Sequence, residues 1–237
     1  VWSEMTPLER RRTTLRYWAN CTWLDHYFGQ VLQKLEALGR LDNSLIVYTS
    51  DHGEMLGERN FRFSKYCLYD SSVRVPLILS GSVVPEAARG TVDSRPAELV
   101  DLFPTLVNSA GEQADPRLPG LDLLGNAKRS GTFCEYHGGG TEQLQPAPAY
   151  MWRKKSWKLI LFMPGPLKDA VSRLDQIKGE LYDLESDPNE WHNLYYDDAH
   201  ASIREQMKTE LLMHLACVWA RGPFFYDRHG YDKLGAE

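Results

Sequence analysis

An aspartate and a histidine stand side by side at Asp51-His52, directly after the apolar run Leu45-Ile-Val-Tyr-Thr49, and Lys65 follows on the same polar stretch. A short apolar run bounded by polar residues predicts a buried strand. In an open α/β sheet, ligands gather in the crevice beyond the carboxyl ends of such strands. A carboxylate beside an imidazole suits a divalent cation, and a nearby ammonium suits an anionic substrate group. The three residues therefore predict a metal-assisted site for an oxyanion ester, and only part of one. Read alone, Asp51-His52-Gly53 is also an ordinary turn, and Lys65 an ordinary solvated loop lysine.

The elements that must hold these residues are legible in the periodicity. Leu15, Trp18, Cys21, Leu24, Phe28, Val31, Leu35 and Leu38 recur every three or four residues, which predicts a helix over 13–38 closed by Gly39. Asp25 lies on that apolar stripe and is expected to satisfy a neighbouring loop by hydrogen bonds. A second buried strand is expected at Val75-Pro-Leu-Ile-Leu-Ser80, and a helix over 97–110 with Leu99, Leu102, Phe103, Leu106 and Val107 inward. Pro104 should kink that helix or delay its start. A long amphipathic helix before a continuous apolar strand predicts αβ layering around a mostly parallel sheet.

The character changes near residue 126. Short strands are expected at 132–136, at the pair 149–154 and 157–162, and at 180–184, followed by a terminal helix over 203–219. The organisation predicted is an α/β domain over 1–125 and a small α+β subdomain over 126–237. His137 follows a strand end and precedes Gly138-Gly-Gly140, which makes it a candidate substrate contact; its plainer reading is a surface-loop histidine.

Composition narrows the partners. The 237 residues are 43% hydrophobic and 25% charged, in the ordinary range for a globular protein, and the net charge of −5 offers no attraction to nucleic acid or an anionic membrane. No apolar run approaches the roughly 18–20 residues that span a bilayer. Cys21, Cys67, Cys134 and Cys217 are far apart and are expected as buried free thiols.

Taken together, four stretches resemble the sulfatase family, within the alkaline-phosphatase-like superfamily. They are the helix through Leu24-Asp25 and Leu35 to Gly39; Ser50-Asp-His-Gly-Glu-Met-Leu-Gly57 with Lys65, Leu68-Tyr69 and Val73-Arg-Val-Pro76; Val100-Asp-Leu-Phe-Pro-Thr-Leu106; and Gly179 to Pro188 with Glu190 and Asn193-Leu194. The resemblance implies part of an alkaline-phosphatase-like mixed sheet flanked by helices. It implies that Asp51 and His52 are metal ligands and that Lys65 contacts sulfate oxygens. The ion implied is calcium, although an imidazole ligand better suits manganese or zinc. Two departures are local: Arg59 stands where the family more commonly has histidine, and Lys65 falls about one residue late.

The larger departure is an absence. The family's C-x-P-x-R or S-x-P-x-R, which yields the formylglycine nucleophile, does not occur in this sequence. Ser94-Arg-Pro-Ala-Glu98 and Ser186-Asp-Pro-Asn-Glu190 both end in glutamate. No paired-aspartate strand precedes the first helix, and Val1 is not an initiator methionine. The expectation is thus the carboxyl-terminal half of a hydrolase of sulfated small molecules or carbohydrates, with no catalytic nucleophile of its own, inactive alone, its formylglycine expected only upstream. Two other readings remain: a phosphate or phosphonate ester hydrolase of the same superfamily, and a non-catalytic piece that docks on a partner chain, the missing amino-terminal half.

Overall fold

The computed structural model describes residues 4–61, 63–137, 148–163 and 177–220; the expected glycine loop at 138–140 lies outside them. Two compact units divide at Asp93 and Ser94.

The first unit begins with helix α1, Pro7–Ala37. It starts six residues before the predicted helix because Thr6 and Glu9 form a capping box. Glu9 N–H donates to Thr6 Oγ1 at 3.3 Å, Thr6 N–H donates to Glu9 Oε2 at 2.8 Å, and Pro7 occupies the first helical position. The helix ends in a Schellman pair: Gly39 N–H donates to Glu36 O at 2.8 Å and Arg40 N–H to Leu35 O at 2.9 Å. Gly39 has φ +65, a conformation that a Cβ would strain.

Strand β1, Leu45–Thr49, lies where expected and pairs with β2, Leu77–Gly81, with Thr49 opposite Leu77 and Leu45 opposite Gly81. The pairing is antiparallel, contrary to the mostly parallel sheet expected. Among the described residues, the connecting segment holds two four-residue helices, α2 (Glu58–Phe61) and α3 (Asp70–Val73), and no crossover helix. Gly53 N–H donates to Ser72 O at 2.7 Å, which returns the chain to the end of β1 that it left. A strand starting there must run back alongside β1.

No residue of α1 is buried. Trp18, Leu24, Val31 and Leu38 each keep more than half of their surface in water, a correction to the inward stripe that periodicity predicted. Length explains it. A 31-residue helix is about 46 Å long, whereas a five-residue strand covers about 17 Å. Contact with the strands runs through Phe28 and Tyr48, whose rings are 5.2 Å apart. Asp25 is exposed on this helix, and the hydrogen bonds to a neighbouring loop expected for it are not seen among the described residues.

In the second unit, a 3-10 turn at Leu99–Asp101 leads into α4, Leu102–Ser109, so Pro104 falls in the first turn, where its missing N–H costs nothing. Pro104 and Thr105 are the buried residues; Leu99, Phe103 and Leu106, expected inward, are exposed. The buried side is fixed by polar groups. Arg129, Glu98 and Asp101 form an ion-paired cluster, with Arg129 Nη1 3.1 Å from Glu98 Oε2 and Nη2 bonded to Asp101. Asp101 also accepts Leu121 N–H at 2.7 Å and Glu98 N–H at 2.8 Å, and Glu98 accepts Phe133 N–H at 2.6 Å. One arginine and two carboxylates thereby fasten the 119–129 loop and the next strand to α4.

Strands β3 (Thr132–Tyr136), β4 (Ala149–Lys154), β5 (Trp157–Phe162) and β6 (Lys178–Asp183) form an antiparallel meander in sequence order. The turn at Lys155 is tight, with φ +55 there. Trp152, Leu159, Leu161 and Leu181 meet Met207 and Leu211 of helix α5, Ala201–Ala220, in one buried cluster. On the other face of β5, Lys158 is fully buried and pairs with Glu190 at 2.8 Å. Asn193 stitches the 190s loop to β6: its side chain accepts Leu181 N–H at 3.1 Å and donates to Gly179 O at 3.1 Å. The family-like Glu190 and Asn193-Leu194 therefore act as a structural fastening. The four cysteines are free, as expected, but Cys21 and Cys217 are exposed and the other two half-buried, not buried. Among the described residues, no helix is long and apolar enough to cross a membrane.

His214 stands between Phe133 and Trp152, at ring distances of 4.7 and 5.1 Å. Burial first, and the Arg129 charge second, hold its pKa below the ordinary imidazole value of 6.5. The folded state then binds fewer protons than the unfolded one, so this stability is present above the unfolded pKa and is lost as pH falls below it. Chemical unfolding of the chain should need less denaturant at about pH 5 than at about pH 7.5, and His214→Phe should remove much of that difference. An undiminished pH dependence in the variant would contradict the assignment.

Candidate metal and oxyanion site

Asp51 and His52 leave the end of β1 as predicted, on a loop that folds against α3. His52 Nδ1 lies 2.9 Å from Gly53 O. A carbonyl only accepts, so Nδ1 carries a proton, and in the neutral form of the ring Nε2 is the nitrogen left to bind a cation. That nitrogen is 3.3 Å from Asp51 Oδ2. The ring nitrogen and the carboxylate oxygen face the same space, where a divalent cation could take both as donors. A backbone carbonyl that accepts from the other ring nitrogen is the usual support of a metal-binding histidine. The Asp51 carboxyl is subject to an opposing effect from burial, its largest influence. His52 N–H, at 3.0 Å from Oδ1, and after it the imidazole when charged, nevertheless hold its pKa below the ordinary carboxylate value. Asp51 is thus an open anion ready to bind. The donor set fits a divalent ion, but only in part: among the described residues, no group of three or more His, Cys, Asp or Glu converges on one point.

Lys65 is reached along a constrained path. Leu56 (φ +46), Gly57 (φ +96), Arg59 (φ +50) and Ser64 (φ +77) all bend left-handed. Glu54 Oε1 holds this loop together by accepting Leu56 N–H at 3.2 Å and Ser64 N–H at 2.5 Å. The Arg59 guanidinium lies 4.0 Å over the buried Tyr69 ring. Lys65 itself is exposed, and its backbone oxygen accepts from Ser72 Oγ at 2.7 Å. Gly53 at one end of the loop and Lys65 at the other are therefore both tied to Ser72. Gly53 cannot carry a side chain: a Cβ there would lie 2.0 Å from Ser71 O.

His137, the fourth candidate, sits at the end of β3 in the second unit. Its Nε2 is 3.0 Å from Glu135 Oε2, and both side chains are about half exposed. The structure thus places Asp51, His52 and Lys65 on one connecting segment of the first unit and gives His137, in the second, a local partner two residues away. Sequence reading missed Glu54 and Ser72. An isolated acid or serine in a polar loop carries no periodic signal, and only the loop closure reveals what they do.

The α/β chain, with a carboxylate and an imidazole at a strand end and an exposed lysine on the next loop, has an alkaline-phosphatase-like fold. Residues 3–112 match the sulfatase family. Arylsulfatase K of Bos taurus is 31% identical over 221 residues, covering 87% of this chain and 38% of its own. A structure solved in complex with its substrate D-glucosamine-2-N,6-O-disulfate superimposes with TM-score 0.71 at 27% identity, over 84% of this chain and 39% of that one. The phosphonate monoester hydrolase of Agrobacterium radiobacter gives TM-score 0.69 at 26% identity, over 81% and 39%. The chain belongs to the sulfatase family. It spans about two fifths of the length of these relatives.

Proposed function

We propose that this chain is the part of a sulfate-ester hydrolase that holds a divalent metal on Asp51 and His52 and meets the ester's oxyanion with Lys65. The observation that carries the reading is the convergence of His52 Nε2 and Asp51 Oδ2, with Nδ1 fixed by Gly53 O. When bound, the cation draws charge from the ester oxygens and so favours cleavage. Asp51 supplies anionic charge, His52 a neutral donor of fixed tautomer, and Lys65 a mobile point charge for an anion. Calcium is the ion proposed; tighter uptake of manganese or zinc would replace it. The substrate class proposed is a sulfated small molecule or carbohydrate, supported by the glucosamine disulfate bound to the structural relative. His137 is retained as a proposed substrate contact. Residues 1–125 are proposed as the catalytic α/β portion and 126–237 as the subdomain.

No residue of this sequence stands in a formylglycine motif, so the isolated polypeptide should hydrolyse phenyl sulfate no faster than buffer, with or without calcium. The site itself is tested by acylation of Lys65, followed by peptide mass spectrometry. With calcium present, inorganic sulfate should slow acylation of Lys65 and not of Lys208. Protection by methylphosphonate and not by sulfate would instead support the phosphonate-hydrolase reading, which the Agrobacterium relative also favours.

The open apolar face of α1 supports a partner as well: strand-bearing polypeptide equivalent to the remainder of the longer relatives. Alone, the 237-residue chain should bind anilinonaphthalene sulfonate and associate in size-exclusion chromatography. A monomer that leaves the dye dark would remove the need for that partner.

A further inference from the structure

We propose that Ser72 is a positioning residue that sets Lys65 relative to the metal donors, an inference that rests on the reading of the site given above. Ser72 is 2% exposed and touches both halves of the site by different atoms. Its carbonyl oxygen accepts Gly53 N–H at 2.7 Å, next to the Asp51-His52 pair. Its hydroxyl donates to Lys65 O at 2.7 Å, a carbonyl that also accepts Cys67 N–H at 2.9 Å.

The two bonds differ in how sequence controls them. The Gly53 contact uses the backbone near the carboxyl end of α3, where a helix has carbonyls without intrahelical partners. Any residue at position 72 keeps it. The Lys65 contact needs the side chain, and a short hydroxyl fits because the two backbones approach closely. Alanine at position 72 would therefore leave the metal donors in place and release only the lysine. Ser72 is well anchored for such a role. Leu68 and Tyr69, just before α3, are each 4% exposed, and Tyr69 O accepts Ser72 N–H at 2.8 Å. Neighbouring Ser71 points its hydroxyl elsewhere, to Glu58, and so provides a control that shares the helix but not the contact.

The test compares the full chain with Ser72→Ala and Ser71→Ala by two readouts. One is manganese broadening of the His52 ring resonances, which reports the metal donors. The other is the sulfate concentration that halves Lys65 acylation, with calcium present. Ser72→Ala should raise that concentration about tenfold, as loss of an outer contact commonly does, while manganese titrates His52 unchanged. Ser71→Ala should alter neither. An unchanged sulfate requirement in Ser72→Ala, an equal loss of both readouts, or the same effect in Ser71→Ala would each overturn the proposal. A wild-type chain showing neither His52 broadening nor sulfate protection would overturn the site reading itself.

Discussion

Replacing Arg129 by methionine should destabilise the second unit by about 3–5 kcal/mol, because it leaves two buried carboxylates without their cation. The guanidinium is 9% exposed, and its partners Glu98 and Asp101 are 13% and 1% exposed. Methionine keeps much of the volume, so a cavity contributes little to the loss. Burial, the largest influence on Glu98, already holds its pKa above the ordinary value of 4.5, with the Phe133 N–H bond and Arg129 opposing. Removing Arg129 raises it further. A carboxyl with a raised folded pKa contributes stability below its unfolded pKa and loses it as pH rises through the folded value. The deficit of Arg129→Met should therefore deepen toward neutral pH. Adding Glu98→Gln keeps an acceptor for Phe133 N–H and removes one stranded charge, so the double variant should be more stable than the single one. Denaturant midpoints that simply add would refute this coupling.

Gly53→Ala is expected to have the largest effect on the site. A Cβ 2.0 Å from Ser71 O and 3.0 Å from its carbonyl carbon cannot be absorbed by a flexible side chain, since both atoms are backbone. The loop must move away from α3, breaking the 2.7 Å bond from Gly53 N–H to Ser72 O and shifting Gly53 O from behind His52 Nδ1. Loss of such tautomer-fixing support typically costs about 10–100-fold in metal affinity. Gly39→Ala provides the contrast: nothing lies within 4 Å of its Cβ, so it bears only the strain of φ +65, about 1 kcal/mol. Calorimetric titration with manganese should show the affinity loss in Gly53→Ala and not in Gly39→Ala. Equal affinity in both variants would mean that the α3 contact does not support the site.

The strands of the second unit were nearly transparent in the sequence. They are apolar runs bounded by turn residues, and the register of β4 with β5 follows from a two-residue connection at Lys155-Ser156 that permits little else. The strand before Asp51 was equally plain, because Leu45 to Thr49 is apolar throughout and ends at a polar loop. Sheet direction was not legible. It depends on where a 27-residue connection brings the chain back, and the Gly53–Ser72 bond that decides this joins residues with no periodic signature. The facing of α1 was misread for a related reason: periodicity marks a stripe that is suited to burial and says nothing of how much sheet lies beside it. Lys158 and Glu190 were hidden by the ordinary expectation that lysine and glutamate are solvated, although the Asp187-Pro188 turn places Glu190 where it can reach back to β5.

The site was legible as chemistry and not as geometry. Aspartate next to histidine pointed to a cation, but the tautomer of His52 depends on Gly53 O, and the placement of Lys65 on Ser72. The most direct measurement is a manganese titration of the isotopically labelled 237-residue chain, read residue by residue as paramagnetic broadening. Resonances of Asp51 and His52 should broaden first and together, and Asp51→Ala should abolish the effect. Broadening centred instead on another acid–histidine pair, such as Asp197 and His200, whose Oδ2 and Nδ1 are 3.0 Å apart, would contradict the account.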